Sequence, residues 1–145
     1  MIHLKKLSVG SESVESLVEW QQVQITDYHG HEVIARTTRN KPKQEKELLN
    51  GGSIYWVINR RIQCRQAILG IEQEIDENGR PYCILMLDPE MVRTQALSHR
   101  PFQGWRYLRP EDAPKDIAPV KLGANDQELP PEEMAKELRV LGLIE

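Results

Sequence analysis

The stretch GGSIYWVINRRIQCRQAILGIEQEIDENGRPYCILMLDP, Gly51 to Pro89, decides the fold. IYWVI (Ile54 to Ile58) is a continuous apolar run of strand length. Asn59-Arg60-Arg61 turns it into IQCRQAILGIEQEI (Ile62 to Ile75), a long and partly alternating strand. Asn78-Gly79 predicts a hairpin, because both residues tolerate the positive φ of a tight primed turn. It leads into YCILML (Tyr82 to Leu87), and Asp88-Pro89 ends the unit. The block therefore reads as a meander of three strands. Tyr55 and Trp56 must point to opposite faces of theirs.

Upstream, KPKQEKELLNGG predicts a short helix from Pro42 to Leu49, with Gly51 or Gly52 just past its end. Glu32 to Thr38 is a second strand, rich in β-branched residues. Ser11 is placed to cap a helix with Glu12 and Glu15 in its first turn and Val14, Leu17 and Val18 on one face. That helix is expected to end between Thr26 and Gly30, and Ile2 to Leu7 alternates as a strand. Downstream, HRPFQGWRYLRPEDAP (His99 to Pro114) has no regular period, and an acidic, Pro-rich connector runs from Pro110 to Pro119. LPPEEMAKELRVLGLIE then predicts a closing helix with Met134, Leu138 and Leu141 on its buried face. The order implies one α+β domain over residues 1–118, with 119–145 as an acidic connector and C-terminal helix flanking it. A small, bent mixed or antiparallel sheet, or a partly open barrel with flanking helices, fits this order.

The chain has 145 residues, 28 % of them charged, and a net charge of −3, as in a soluble globular protein. No apolar run approaches the roughly 20 residues that span a bilayer. MIHLKKLSVG carries two lysines with no apolar region after them, so no secretory signal and a cytoplasmic location are expected. Cys64 and Cys83 lie in strand-like runs and read as buried free thiols, with a cross-strand disulfide as the alternative. The modest net charge hides segregation. Between Arg36 and Arg65 eight cations face only Glu45 and Glu47, and Met91 to Arg109 holds four arginines and no acid. Beyond Pro110 the balance becomes acidic. Local potential of this kind steers anionic ligands.

LLNGGSIYWVI, RQAILGIE, LDPEMVRT and RPFQGWRYLRPEDAP, in that order, resemble the alphaproteobacterial domain-of-unknown-function family numbered 1489, over roughly residues 2–118. That family carries no established activity. More loosely, a helix, glycines, an apolar strand and a hairpin are similar to the PUA-like barrels, including ASCH and EVE domains, several of which bind RNA or modified nucleobases. Ser53 follows Gly52 where such domains often place Asp, and the G-x-K-x-x-E-x-R pattern of ASCH domains is absent.

Phosphate contacts need Arg and Lys, and unpaired bases need flat aromatic faces. ARTTRNKPK supplies Arg36, Thr38, Arg39 and Lys41; the 100–109 segment supplies Arg100, Trp105, Arg106 and Tyr107; Tyr55 adds a third aromatic. If the latter segment is extended, Trp105 and Tyr107 share one side and Arg106 takes the other. The competing reading makes Trp105 a core plug and leaves the arginines solvated. Gly51-Gly52 admits a close backbone approach by a ligand, though a helix end explains it equally, and no P-loop pattern is present.

The expectation is a non-catalytic module binding RNA, single-stranded nucleic acid or a nucleotide-like ligand in a basic, aromatic-edged cleft between these two segments. One alternative is a small enzyme acting on a nucleoside or other small polar substrate, with Lys41, His99 or Glu90 as acid or base. The other is a protein–protein adaptor or homodimer joined through the acidic C-terminal helix. No cofactor, metal or catalytic residue is assigned. His29 and His31 with Glu32 make only a weak metal-ligand pattern, and Cys64 is a nucleophile only if Arg65 lowers its pKa and solvent reaches it.

Overall fold

The computed structural model describes residues 1–120, and one long strand organises it. In chain order the strands are β1 (His3–Leu7), β2 (Ile25–Tyr28), β3 (His31–Thr38), β4 (Ser53–Ile58), β5 (Arg61–Ile75), β6 (Pro81–Leu87), β7 (Val92–Ser98), β8 (Trp105–Leu108) and β9 (Asp116–Pro119). Helix α1 (Val14–Gln22) lies between β1 and β2, and α2 (Glu45–Leu49) between β3 and β4. The first half of β5 is flanked by β4 and β7, whereas its second half pairs with β6. The sheet runs β2-β3-β6-β5-β4-β1-β8, with β7 and β9 branching from β5. The result is a sheet-dominated α+β fold with an open, mixed sheet. Its parallel ladder is β1–β4, whose long crossover carries both helices.

The bend in β5 has a local cause. Its register against β6 shifts between Ile68 and Gly70, which leaves Leu69 as an extra, exposed residue. Such a bulge kinks a strand and strengthens its twist. The Tyr28 ring packs over Gly70 there, where a Cβ would stand 2.7 Å from the ring.

Turn chemistry differs from the expectation at two hairpins. Asn59 and Arg60 have φ of 55° and 64°, so the primed turn is the one joining β4 to β5. At Asn78-Gly79 a hairpin forms, but of these two residues only Gly79 has positive φ. Asp76 Oδ1 accepts the N–H groups of Asn78 and Arg80, each at 2.9 Å, and so holds a longer loop than a two-residue turn.

The helices are shorter than their patterns suggest. Ser13, not Ser11, caps α1, in a reciprocal capping box with Ser16. The helix stops at Gln22 because β2 follows and pairs with β3. Helix α2 starts at Glu45 rather than Pro42, after a segment tied to β8: the Gln44 N–H donates to the Tyr107 hydroxyl at 3.0 Å. Residues 88–119, where no strand is expected and His99 to Pro114 has no period, contain three strands. They pair with β5, β1 and β7 respectively, so non-local partners rather than alternation define them. The boundary expected at 118 falls inside β9, and the expected C-terminal helix lies outside the described residues.

Register explains why IYWVI is apolar throughout. Leu4, Ile54 and Tyr107 align across β1, β4 and β8, as do Lys6, Trp56 and Trp105. This face meets α1 and the β3–β6 half of the sheet in the larger core cluster, whereas Tyr55 and Val57 join Ile62, Phe102 and Leu108 on the other face. Tyr55 is therefore a packing residue, at an edge-to-face distance of 5.0 Å from His3. Cys64 and Cys83 are buried free thiols, and burial pushes the Cys64 thiol up to about 12, which removes it as a nucleophile. Gly52 is required by packing: a Cβ there would meet the backbone oxygens of Ile2 and Leu48 at 2.3 and 2.4 Å. Among the described residues no helix is long and apolar enough to cross a membrane.

Behind β4, His3 Nδ1 accepts the Ser53 N–H at 3.0 Å, and Arg65 donates to Ser53 Oγ at 2.9 Å while pairing with both Asp116 oxygens at 2.7 and 2.6 Å. Burial, followed by the Arg65 charge, holds the His3 imidazole below its ordinary value of 6.5. The folded state therefore favours neutral His3. Its contribution is complete above pH ~6.5 and is lost as the pH falls below that value, where the unfolded chain takes up the proton first. Asp116 is held low chiefly by its hydrogen bond from Arg65, so its contribution persists to lower pH. We expect urea midpoints to decline from pH 7 toward pH 5, and His3→Gln, whose Oε1 can still accept from Ser53, to flatten that decline. An unchanged decline in the variant would contradict the assignment.

Candidate ligand-binding site

Strand β3 places an arginine where its periodicity calls for an apolar residue. Ile34, Arg36 and Thr38 face Leu87, Leu85 and Cys83 of β6, so Arg36 shares the inward side of the sheet with the core. Its guanidinium carbon lies 4.8 Å from the ring centroid of Trp20 on α1 and 4.8 Å from that of Trp56 on β4. Trp56 is wholly buried, whereas Trp20 remains 46 % exposed. Arg36 Nη1 is buried and has no hydrogen-bond partner among the described residues. Each cation–π contact contributes about 0.5–2 kcal/mol. An unsatisfied buried donor costs about 1–3 kcal/mol, so stacking and desolvation nearly offset each other.

A second cation faces the same interior. Lys6 aligns with Trp56 and Trp105, and burial together with the Arg36 charge lowers its ammonium pKa. Burial also draws the Arg36 guanidinium down. Among the described residues neither cation has a carboxylate within ion-pair distance. Arg36 opens onto a pocket of 330 Å³ lined also by Val9, Gly10, Ser11, Ser16 and Trp20. A planar aromatic wall, a stacked guanidinium and a hydroxyl-bearing loop can receive a flat group carrying negative charge. Among the described residues no carboxylate, imidazole or thiol lines this pocket.

The remaining sequence-derived candidates occupy several places. Trp105 Nε1 donates to the Asn40 carbonyl at 2.8 Å, and with Tyr107 on Gln44 this brings the 100–109 segment against residues 40–44. Trp105 and Tyr107 pack edge to face at 5.0 Å against the main core. The two segments thus meet through aromatic–backbone hydrogen bonds rather than around one basic cleft. Arg106 points to the opposite face of β8 and lies 5.2 Å from the Phe102 centroid. Thr38 and Arg39 border a shallow groove with Asp76, to which Arg39 is paired at 3.4 Å. Lys41 pairs with Glu45 at 3.1 Å. Arg100 lines a separate pocket of 350 Å³ with Arg60, Ser98, His99 and Pro101. His29 sits in the β2–β3 turn against Tyr28, and among the described residues no three potential ligands gather around a metal position.

Sequence reasoning found Arg36 but missed Lys6, Trp20 and the 9–11 loop. Lys6 was detectable in principle: it follows Leu4 at strand spacing, on the side that alternation assigns to the core. Trp20 carried no such signal, because its role depends on how α1 lies over β3.

The fold and site define an open-sheet α+β domain with a cationic, tryptophan-walled pocket. The model of a protein-of-unknown-function family, DUF1489, matches residues 4–144, and the chain belongs to that family. No curated protein and no solved structure matches the chain.

Proposed function

We propose that the chain is a non-catalytic binding module for RNA, single-stranded DNA or a nucleotide-like ligand, seated at the Trp20–Arg36 pocket. One observation carries this reading: Arg36 is stacked between two tryptophans with a buried, partnerless N–H, beside Lys6 and without an acidic counterpart among the described residues. Two inward cations on a core face violate the local rule for a strand, and such violations cluster at functional sites. A phosphate or an anionic base edge would supply the missing acceptor. Exposed Trp20 offers a stacking face worth about 1–3 kcal/mol per base. A PUA-like fold, as the order of helix, glycines, apolar strand and hairpin suggests, would agree with this reading by analogy, since several such domains bind RNA or modified nucleobases.

The enzyme alternative is less favoured, because Lys41, Glu90 and His99 do not line this pocket. Titrating the full chain with UMP and AMP at low ionic strength should quench tryptophan emission, and added salt should weaken binding steeply. Calorimetry and fluorescence that register no binding of mononucleotides or of short RNA at low salt would overturn the proposal.

A further inference from the structure

A second cationic pocket lies at the β4–β5 turn. Arg60, held at a φ of 64° in the β4–β5 turn, and Arg100, just past β7, line the 350 Å³ pocket with Ser98, His99 and Pro101. The corner is rigidly built. The Arg60 carbonyl accepts the His99 N–H at 2.8 Å, and the His99 ring packs 4.9 Å from Phe102, which carries Arg106 on its face. Arg60, Arg100 and Arg106 make no ion pair among the described residues. Each of these guanidiniums thus lacks a carboxylate among the described residues, and an anionic ligand can supply the partner.

The loops beside the two pockets are tied together. Asn59 Nδ2 donates to the Glu12 carbonyl at 3.4 Å, and the Ser8 N–H donates to the Val57 carbonyl at 2.9 Å. The loop whose Val9, Gly10 and Ser11 line the Arg36 pocket is thereby fastened to the turn that presents Arg60.

We infer that the ligand is a single-stranded polynucleotide, with one nucleotide at Trp20–Arg36 and its neighbouring phosphates crossing the β4–β5 turn to Arg60 and Arg100. The inference rests on the reading of the Arg36 pocket given above. An unpaired strand is required because the Trp20 face can stack only on a base released from its own stack.

The test compares UMP, a ten-residue oligouridylate and an RNA duplex of equal length on the full chain. Alongside the unaltered protein stand Arg36→Met and the double variant Arg60→Asn/Arg100→Gln, in which Asn tolerates the left-handed turn conformation. The oligouridylate should bind the unaltered protein more than ~10-fold tighter than UMP, and the duplex should bind more weakly than the strand. The double variant should lose about 10-fold in oligouridylate affinity and about 1.4 from its log–log salt slope, at ~0.7 per phosphate, with UMP binding unchanged. Arg36→Met should weaken both ligands roughly 10- to 150-fold.

If UMP binds but the oligouridylate gains nothing over it, or the double variant keeps affinity and slope, the strand path is wrong and the pocket reading survives. Equal binding of the duplex likewise overturns the single-strand assignment. If neither UMP nor the oligouridylate binds the unaltered protein, both readings fall together.

Discussion

Arg36→Met is expected to weaken nucleotide binding roughly 10- to 150-fold while leaving the protein folded. Arg36 lies on the core face of β3, where methionine is both apolar and unbranched enough to follow the same channel between Trp20 and Trp56. The substitution removes two cation–π contacts of about 0.5–2 kcal/mol each. It also relieves a buried N–H whose lack of a partner costs about 1–3 kcal/mol. The two effects oppose each other, so the urea midpoint should move by no more than the equivalent of ~1 kcal/mol. Binding responds differently, because charge-assisted hydrogen bonds of about 1.5–3 kcal/mol to the ligand disappear outright, a loss of roughly 10- to 150-fold. Equilibrium unfolding and fluorescence titration on the same preparation separate the outcomes. A variant that binds normally refutes the site, and one destabilised by more than ~3 kcal/mol shows that Arg36 serves the core instead.

The largest stability effect is expected at Gln66. Its side chain is wholly buried on β5 and satisfies groups on β4, on α1 and in the turn after β6 at once. Gln66 Oε1 accepts from Trp56 Nε1 at 2.9 Å and from Gln21 Nε2 at 3.0 Å, while its Nε2 donates to Gln21 Oε1 at 2.7 Å and to the Asp88 carbonyl at 3.0 Å. Gln66→Leu preserves volume yet strands the indole N–H, the Gln21 amide and a backbone carbonyl inside the protein. At about 1–3 kcal/mol for each stranded group, the loss should reach about 3–5 kcal/mol, a large part of a typical 5–15 kcal/mol stability. In thermal melts this corresponds to a fall of roughly 10–20 °C. Pairing the change with Gln21→Leu should recover ~1–2 kcal/mol, since one orphaned amide then disappears. Strict additivity in that cycle, or a loss below ~1 kcal/mol for Gln66→Leu alone, would remove the network from the account of stability.

Much of the strand content was legible from local pattern. Apolar Ile54 to Ile58, the alternation after Ile62 and the turn residues at 59 and 79 encode β4, β5 and β6, because strand periodicity and turn conformation are properties of neighbouring residues. Strands β2, β7, β8 and β9 escaped that kind of reading. Each is short or mixed in character; β7, β8 and β9 exist through ladders to distant segments, as Trp105 does opposite Lys6, and β2 is masked by the helical pattern before it although its partner β3 is adjacent. The same limit applied to the site. ARTTRNKPK announces a cluster of cations, yet its members diverge: Arg36 turns inward between tryptophans, Arg39 turns to Asp76 and Lys41 to Glu45.

The sequence by itself determined the class of this protein: an α+β chain with segregated charge, two buried thiols and an apolar central strand. Those properties follow from composition and short-range spacing. Tertiary structure alone decided which charges matter. Lys6, Trp20, Arg36 and Trp56 lie on four different elements, and nothing in their spacing marks them as neighbours. They are brought together because β5 bends at its bulge and sets the β3–β6 half of the sheet, with α1, against the β1–β4 half. A cation's partner is set by distance through space, and that distance is a product of the folded chain rather than of its order.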